Sequence, residues 1–331
     1  MHTRAAIAAA RPSPRPSSSP GRRCHCTMSE AQPRPDVSVV IASFNERNAI
    51  ERCLASLEKQ ETSRHFEVIL IDSSTDGTDA VARRFRFVRL RHFAERKYCG
   101  DARNQGLVLA RADIIAFLDA DCFVESDWIE QIVRAHQSPY WAVGGVIENG
   151  TPESLLAWAY YFCEFNLWLP RPTSCEIPQM AGCGLSIKRR AFEQYGPFLK
   201  GTYCSDTVFH WRMAEDGHPV LFVPGIRVFH TARHDLGEFL RHVVEHRRCF
   251  ATVTAQEKKF SIRKRVTAAL AAGFLPLLLF SVIAWRVVRS RVHLRPFVLS
   301  SPLVLLGLTA RAWGEFLGYT KGRPAANGMP G

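Results

Sequence analysis

The sequence predicts an α/β fold in which a doubly wound, mostly parallel sheet is followed by a membrane-associated helical segment. Strand-like apolar runs alternate with helical segments from residue 37 onward, a pattern typical of parallel sheets. Polar or acidic turns follow several of these runs. A charge-free run of twenty residues, 266–285, lies near the C-terminus and is long enough to span a bilayer core of about 30 Å.

The first half of the chain reads as regular strand and helix units. Val37–Ala42 is predicted to form the first strand, and a polar turn and an amphipathic helix follow it. The segment FEVILIDSSTDGTDAVARRF repeats this order, and a third strand is expected at Phe85–Leu90. GDARNQGLVLA predicts a helix, and ADIIAFL then predicts a strand buried on both faces. The carboxyl ends of these strands should meet at one edge, where ligands bind in such sheets.

The second half is less regular. AVGGVIENG and GLSIKR predict strands, and PVLFVP with RVFH predicts a further strand pair around Pro224 and Gly225. Residues 235–250 predict a helix that either packs on the domain or lies on a membrane. Its apolar face consists of Leu236, Phe239, Leu240, Val243 and Val244.

These patterns divide the chain into regions. Residues 1–35 are expected to be a disordered, basic, Pro/Ser-rich tail with no evident export signal, and Met28 is an alternative start. Residues 36–235 form the α/β domain, 236–265 an amphipathic basic linker helix and 321–331 a flexible tail. Residues 266–320 are expected to be a membrane segment with one span and, at Phe297–Ala310, a second span or a re-entrant or interfacial helix.

The distribution of charge favours a membrane over nucleic acid as a partner. The net charge of the 331 residues is +12, but residues 36–240 carry 22 basic and 27 acidic side chains. Residues 241–331 carry 15 basic and three acidic side chains among long apolar runs. A basic, apolar tail on a mildly acidic domain indicates an anionic membrane surface. Nucleic acid is therefore not expected as a partner.

The ten cysteines indicate a reducing compartment. They lack the paired C-x-x-C spacing of zinc sites, so reduced thiols in the cytosol fit best. Cys24 and Cys26 flank a histidine and are an alternative metal site. They lie, however, in a stretch with too little apolar content to fold.

Two carboxylates follow a buried strand in IIAFLDADC. Asp119 and Asp121 either cap backbone N–H groups in a turn or bind a divalent cation at the sheet edge. Hard oxygen ligands beside substrate phosphates suit Mn²⁺ or Mg²⁺. The burial of the preceding strand favours the metal.

Two further turns carry polar side chains that either cap or bind. SFNE places Asn45 and Glu46 at the end of the first strand, where they can hydrogen-bond a nucleobase or ribose. DSSTDGT places Asp72 directly after the second strand, with Asp76 closing the turn. Each turn taken alone leaves capping and ligand binding open.

In this order, the segments resemble family 2 glycosyltransferases with the GT-A fold, over Val37–His230. The resemblance implies that VSVVIASFNE faces the nucleotide through Ser43, Asn45 and Glu46, and that VILIDSSTDGT does so through Asp72 and Asp76. The second of these motifs is one residue shorter than the commonest form. GDARNQGL is similar to the family's Ala-Arg-Asn-x-Gly segment and would direct Arg103 and Asn104 toward the donor, and FLDADC resembles its metal-binding Asp-x-Asp.

The resemblance continues in CSDTVFHWR. It implies that Asp206 is the catalytic base and that Arg212, six residues later, contacts the donor, although Ser205 replaces the family's usual Glu. His230, at the end of RVFH, is similar to a late histidine of the family that ligates the metal with Asp119 and Asp121. A histidine after a strand is otherwise a structural residue.

These residues imply an inverting glycosyltransferase. A divalent ion would neutralise the diphosphate leaving group of a UDP- or GDP-sugar, and Asp206 would take the proton of the attacking hydroxyl. The basic, apolar tail suggests a lipid-linked or cell-envelope glycan acceptor. The protein is therefore expected at the inner or plasma membrane, with its catalytic domain cytoplasmic.

Three other functions compete with this one. A nucleotidyltransferase also uses paired carboxylates, but it usually has an early Gly-rich loop, which VVIASFNERN lacks. A non-catalytic, nucleotide-binding membrane adaptor is favoured by Ser205 alone. NAD-dependent oxidoreduction is disfavoured because no G-x-G-x-x-G follows the first strand.

Overall fold

The computed structural model describes residues 33–232 and 235–322. The described residues form nine strands: β1 (Val37–Ser43), β2 (Phe66–Asp72), β3 (Val88–His92), β4 (Ile114–Asp119), β5 (Cys122–Val124), β6 (Ala142–Asn149), β7 (Cys175–Ile177), β8 (Leu185–Lys188) and β9 (Val220–His230). The helices are α1 (Ile50–Glu58), α2 (Thr78–Ala82), α3 (Cys99–Leu109), α4 (Trp128–Ala135), α5 (Leu155–Glu164), α6 (Arg189–Tyr195), α7 (Ser205–Glu215), α8 (Leu236–Glu257), α9 (Ile262–Ala271), α10 (Leu275–Ser290) and α11 (Leu294–Lys321). The Cys24–Cys26 motif and most of the tail expected at 1–35 lie outside the described residues.

All nine strands join one sheet in the order β3-β2-β1-β4-β8-β6-β9-β5, and β7 pairs with β9. The four strands β3, β2, β1 and β4 are parallel, as the alternating pattern predicts. The rest is mixed, because β8 runs antiparallel to both β4 and β6 while β6 and β9 are parallel. A mixed sheet whose first half is parallel is therefore the framework of the domain.

The first βα unit forms as its pattern predicts. Every residue of β1 is buried, as expected for a strand covered on both faces. Helix α1 packs on the sheet because its apolar side chains recur every three or four residues. Its buried side chains are Ile50, Cys53, Leu54 and Leu57.

Two strand predictions are wrong in detail. Strand β3 begins at Val88, three residues after the predicted start at Phe85, and none of its residues is buried. The predicted pair around Pro224 and Gly225 is instead the single strand β9. Its register against β6 shifts between Gly145 and Val146, so the chain bulges there instead of turning back. A Cβ on Gly145 would meet the carbonyl oxygens of Val223 and Ile226, so the bulge requires this glycine.

Helix α8 is longer than its apolar pattern predicts, and it begins at a capping box. The Asp235 carboxylate accepts from the Glu238 N–H, and the Glu238 carboxylate accepts from the Asp235 N–H. Phe239 and Val243 are buried as predicted, whereas Leu236 is 43% exposed. The helix continues to Glu257 and packs along α11.

Two C-terminal helices are long and apolar enough to cross a membrane. The first, Ile262–Ser290, joins α9 and α10 through one 3-10 turn, and its most apolar 18 residues have a mean hydropathy of 2.3. The second is α11, whose most apolar 18 residues have a mean hydropathy of 1.3. Core helices of soluble proteins can meet the same criterion, so length and composition alone do not place these helices in a bilayer.

Gly106 sets the distance between α3 and β1. A Cβ at this position would collide with the Cγ1 methyl of Val40, which lies in the fully buried strand β1. We therefore expect Gly106→Ala to lower the free energy of unfolding by about 1–3 kcal/mol, the usual cost of overpacking a core. Urea unfolding followed by far-UV circular dichroism measures this change.

Gly273→Ala is the matched control, because a Cβ there meets no atom within 4 Å. If both variants unfold at the wild-type urea midpoint, α3 does not need the close approach to β1.

Candidate active site

A cavity of about 590 Å³ opens at the carboxyl edge of the parallel strands. The turns after β1 and β4 form its floor, and residues of α5, α7 and α8 form its walls. Of the twelve predicted site residues, eight line this cavity: Ser43, Asn45, Glu46, Arg103, Asp119, Asp121, Asp206 and His230. His230 reaches it from the end of β9. Strand ends far apart in sequence therefore bring most of the predicted residues together, as the topology of open α/β sheets predicts.

Asp121 and His230 form a close pair on this floor. Strand β5 pairs with β9 so that Cys122 lies opposite His230, and this register places the neighbouring Asp121 beside the imidazole. Nε2 of His230 lies 3.0 Å from Oδ2 of Asp121. Burial alone would raise the pKa of Asp121, but the charge of His230 and its hydrogen bond lower it overall. The same contact outweighs burial at His230 and raises the pKa of the imidazole.

These two residues offer an oxygen and a nitrogen ligand to a divalent cation. Their ligand atoms and the Cys122 sulfur lie within 4.8 Å of one another. Burial holds the pKa of the Cys122 thiol well above its usual value. Sulfur is also a soft ligand, less suited than a carboxylate oxygen to Mn²⁺ or Mg²⁺. The rings of Tyr160 and Phe165 pack on His230 at centroid distances of 5.4 and 4.8 Å. This packing fixes the imidazole plane toward Asp121.

Asp119, the last residue of β4, pairs with a buried guanidinium. Nη2 of Arg103 donates to Oδ1 of Asp119 at 2.6 Å, and the Arg103 side chain is 3% exposed. Burial raises the pKa of Asp119 more than Arg103 lowers it. A Cβ on Gly182 would overlap the guanidinium, so the backbone of Gly182 packs directly against Arg103. Arg103 thus neutralises one of the two adjacent carboxylates.

Asp206 enters the cavity from the first turn of α7. Oδ2 of Asp206 accepts from the backbone N–H of Gly182 at 2.8 Å, and Oδ1 accepts from the N–H of Thr207 at 2.8 Å. Two backbone donors therefore fix the carboxylate. The neighbouring Ser205 is fully buried against Gly100, and within the described residues its hydroxyl has no hydrogen-bond partner.

The turn after β1 is braced by the acidic turn after β2. Asn45 has a left-handed backbone, with φ of 57°, and its Oδ1 accepts from the N–H of Thr75 at 2.9 Å. The Asn45 N–H donates to Oγ of Ser74, whose hydroxyl donates to Asp72. Asp76 accepts from the Arg47 N–H. The two turns thus form one hydrogen-bonded unit. This unit lies at the end of the cavity nearest to β1.

Four predicted donor-binding residues do not line the cavity. Asp72 is fully buried, and its Oδ2 lies 2.6 Å from Nδ1 of His92. Asp76 accepts from the N–H and hydroxyl of Thr78, which begins α2. The Asn104 amide is bonded to the backbone of Phe198, and the Arg212 guanidinium donates to the carbonyls of Tyr195 and Pro197. The contacts predicted for these four residues with the donor remain predictions.

The wall that sequence reasoning missed comes from α5 and α8. Glu164 of α5 accepts from Nη2 of Arg247 at 2.7 Å and lies 3.3 Å from His246. Burial alone would raise the pKa of Glu164, but Arg247 and His246 lower it far below its usual value. The α8 residues on this wall are Glu238, Arg241, His242, Glu245 and His246. These five residues recur every three or four positions and so form a polar stripe on α8, opposite the apolar face that includes Phe239 and Val243.

The ion pair between Arg103 and Asp119 yields a test. Arg103→Met should leave a buried carboxylate beside Asp121, and breaking one partner of a buried pair costs about 3–5 kcal/mol. Adding Asp119→Asn removes that unpaired charge, so we expect the double variant to be more stable than Arg103→Met. Urea unfolding of both single variants and the double variant gives the coupling energy. Strictly additive losses would mean that the two groups do not stabilise each other.

The chain is similar to known glycosyltransferases in sequence. Residues 38–196 match the family model described as Glycosyl transferase family 2. Glycosyltransferase AglE of Haloferax volcanii is 30% identical over 216 residues, which are 62% of this chain and 70% of that protein. The putative glycosyltransferase EpsH of Bacillus subtilis is 35% identical over 104 residues, 30% of each chain.

The fold has a counterpart among solved structures. The mannosyltransferase PcManGT from Pyrobaculum calidifontis, solved in complex with GDP-Man and Mn²⁺, superposes with a TM-score of 0.54 at 20% identity. The match covers 87% of this chain and 85% of that one, which establishes the likeness of the mixed α/β sheet to GT-A glycosyltransferases. With the coverage and identity of AglE, these findings show that the chain belongs to glycosyl transferase family 2.

Proposed function

We propose that this glycosyltransferase moves a sugar, with inversion, from a UDP- or GDP-sugar to a lipid-linked or cell-envelope glycan acceptor. Mn²⁺ or Mg²⁺ assists the transfer, and Asp206 is the general base. One observation carries the proposal: Asp121 with His230, and Asp206, line the same cavity from different elements. A metal-ligand pair and a separately held carboxylate are what direct displacement on a sugar diphosphate requires.

Asp121 and His230 would hold the metal, with Asp119 beside them. The ion would supply positive charge to the departing diphosphate. The donor set supports this assignment, because the Asp121 carboxylate is a hard oxygen ligand of the kind that suits Mn²⁺ or Mg²⁺, and the His230 imidazole lies 3.0 Å from it. Arg103 keeps Asp119 paired, so the metal site does not carry two uncompensated carboxylates.

Other residues of the cavity would bind the nucleotide and accept the proton. Ser43, Asn45 and Glu46 would contact the nucleotide, since they line the end of the cavity at β1. Asp72 and Asp76 would act through that turn, because Ser74 and the Arg47 N–H link them to it. Asp206 would take the acceptor proton while the N–H groups of Gly182 and Thr207 hold its carboxylate in place. One base with no covalent intermediate gives inversion at the anomeric carbon.

The acceptor would enter along the wall formed by α8. This wall carries Arg241, His242 and His246, which suit an acceptor with an anionic or hydroxyl-rich head. Helix α8 leads directly into the apolar C-terminal helices, so the cavity adjoins the segment that would contact lipid. These features favour a position at the cell membrane, and the cysteines, which lack paired C-x-x-C spacing, favour its cytoplasmic face.

Ser205 favours one alternative, a nucleotide-binding protein without transferase activity. The residue replaces a carboxylate of the family motif, and its hydroxyl has no partner within the described residues. Membership in glycosyl transferase family 2 argues against nucleotidyl transfer and against NAD-dependent oxidoreduction.

Asp206→Asn tests the proposed base. Purified protein in detergent is incubated with a panel of UDP- and GDP-sugars, Mn²⁺ and a membrane extract as acceptor source. We expect nucleotide release with one donor and a loss of about 10²- to 10⁴-fold in the variant, the usual contribution of a general base. Donor affinity should be unchanged, because Asp206 would act only on the acceptor.

Asp216→Asn is the matched control, because Asp216 is an exposed carboxylate at the other end of α7. Equal rates for Asp206→Asn and wild type would remove Asp206 from the base role. Donor binding without turnover in the wild type would favour the nucleotide-binding alternative.

Asp121→Ala tests the proposed metal site. We expect Mn²⁺ to increase donor affinity in the wild type and to have no effect in the variant, since the cation would lose its carboxylate ligand. Isothermal titration calorimetry with the nucleotide sugar that supports nucleotide release, in Mn²⁺ or in EDTA, gives the donor affinity of each protein with and without the metal. An unchanged Mn²⁺ effect in Asp121→Ala would exclude Asp121 as a ligand.

A further inference from the structure

Helix α11 is fastened to the catalytic domain at both ends. Just before its start, Nε2 of His293 lies 2.9 Å from Oε2 of Glu148, at the end of β6. Just after its end, the carbonyl oxygen of Gly322 accepts from Nε of Arg248 at 2.7 Å. Both termini of this 28-residue helix therefore touch the domain that carries the cavity.

The middle of α11 is in contact with the domain as well. Phe297 packs against Phe162 of α5 at a ring-centroid distance of 5.1 Å. The Cys163 thiol donates to the Val304 carbonyl at 3.7 Å. The helix thus contacts α5 along its first half.

A glycine face joins the second half of α11 to α8. A Cβ on Gly307 would overlap the Phe239 ring, and one on Gly314 or Gly318 would overlap the backbone carbonyl of Val244 or Arg248. Spacings of seven and four residues place the three glycines on one side of the helix. Since α8 also lines the cavity, α11 lies one helix away from the active site.

The helix Ile262–Ser290 packs along α11 and runs antiparallel to it, and its Arg286 guanidinium also donates to the side-chain oxygen of Asn166 in the domain. Two ring contacts set its register against α11: Phe260, just before its start, with Tyr319 at 6.2 Å, and Phe280, within α10, with Phe297 at 5.5 Å. Only 17% of its most apolar window is buried. The large side chains left exposed are Ile262, Val266, Leu270, Phe274, Leu277, Leu278, Trp285 and Val288. The two helices form a hairpin with one face on the domain and one apolar face outward.

This attachment excludes a hairpin that crosses the bilayer. A 28-residue helix is about 42 Å long, more than the bilayer core of about 30 Å. If α11 stood along the membrane normal, α5 and α8 would stand in hydrocarbon with it. Glu164, Arg247 and the charged cavity would then be immersed, at about 2.5–3.5 kcal/mol or more for each charged side chain.

Six of the nine cations in residues 262–321 agree with one-sided placement. Arg263, Lys264 and Arg265 lie at its first end, and Arg289, Arg291 and Arg295 lie at the connection between its helices. A crossing hairpin would put these groups on opposite sides of the bilayer, with three arginines in an external loop. A hairpin lying flat keeps all six on the side of the catalytic domain, where each is worth about 1 kcal/mol on an anionic leaflet.

We propose that residues 262–321 form a hairpin that lies in the plane of an anionic membrane leaflet, with the outer face of Ile262–Ser290 immersed among the acyl chains, and does not cross the bilayer. The inference extends the proposed membrane location and does not depend on the transfer reaction. It places the cavity about one helix diameter, some 10 Å, from the hairpin. A lipid-linked acceptor would therefore reach the site with its lipid still in the leaflet.

Vesicle flotation tests the surface. Protein diluted from detergent is mixed with preformed vesicles of phosphatidylcholine, with or without 30% phosphatidylglycerol (about one lipid in three, to set a negative surface potential). We expect the wild type to float with the anionic vesicles and a Leu277→Glu, Leu278→Glu variant to lose at least about tenfold in bound fraction. Val108→Glu, at an 81% exposed apolar position on α3, should bind as the wild type does. Equal flotation of all three proteins would contradict the proposal.

Labelling from one side tests the orientation. Arg295→Cys is treated with a membrane-impermeant maleimide while bound to the outside of sealed vesicles, beside Lys200→Cys on the catalytic domain and the unaltered chain as background. We expect both introduced thiols to react without detergent. Protection of Arg295→Cys until detergent is added would show a crossing hairpin and overturn the proposal. Donor turnover in detergent, measured on the same proteins, separates this outcome from a failure of the proposed function.

Discussion

The site depends on how the domain accommodates two carboxylates that leave one buried strand. Asp119 and Asp121 would repel each other at the end of β4 if both were uncompensated. Arg103 neutralises the first and His230 pairs with the second, so each carboxylate has its own partner. Those partners in turn require α3 to lie close on β1 and β9 to reach past the bulge to β5. The charge pairing at the site therefore depends on the strand order and on the close packing of α3.

Local sequence patterns predict the buried parallel strands of the first half of the sheet. Continuous apolar runs identify β1, β2 and β4, because strands of a parallel sheet are buried on both faces. Motif order then identifies the residues that follow those strands. Asp119, Asp121 and His230 meet as expected because the carboxyl ends of strands in such a sheet converge. The position of Asp206 follows from motif resemblance alone, since its helix α7 has no pattern that indicates a ligand-binding end.

The misjudged features are those decided by distant contacts. Pro224 and Gly225 favour a turn, but the pairing of β9 with β6 on both sides of them turns that signal into a bulge. Asp72, Asn104 and Arg212 lie outside the cavity because His92, Phe198 and Tyr195 hold their side chains, so their predicted contacts with the donor stay predictions. The α8 wall was missed because its polar stripe reads as solvent-facing until α5 is placed opposite it. Sequence periodicity gives the faces of a helix but not the neighbour of each face.

The glycine face of α11 has a consequence for how this enzyme can change over evolution. Gly307, Gly314 and Gly318 touch a phenyl ring and two backbone carbonyls of α8, and residues of the same α8 line the cavity. A helix pair taken from another protein, with ordinary side chains at those three points, would push α8 into the cavity or away from it. The C-terminal hairpin is therefore not an exchangeable module. The hairpin and the α8 wall of the cavity are constrained to diverge together, unlike an anchor joined by a linker.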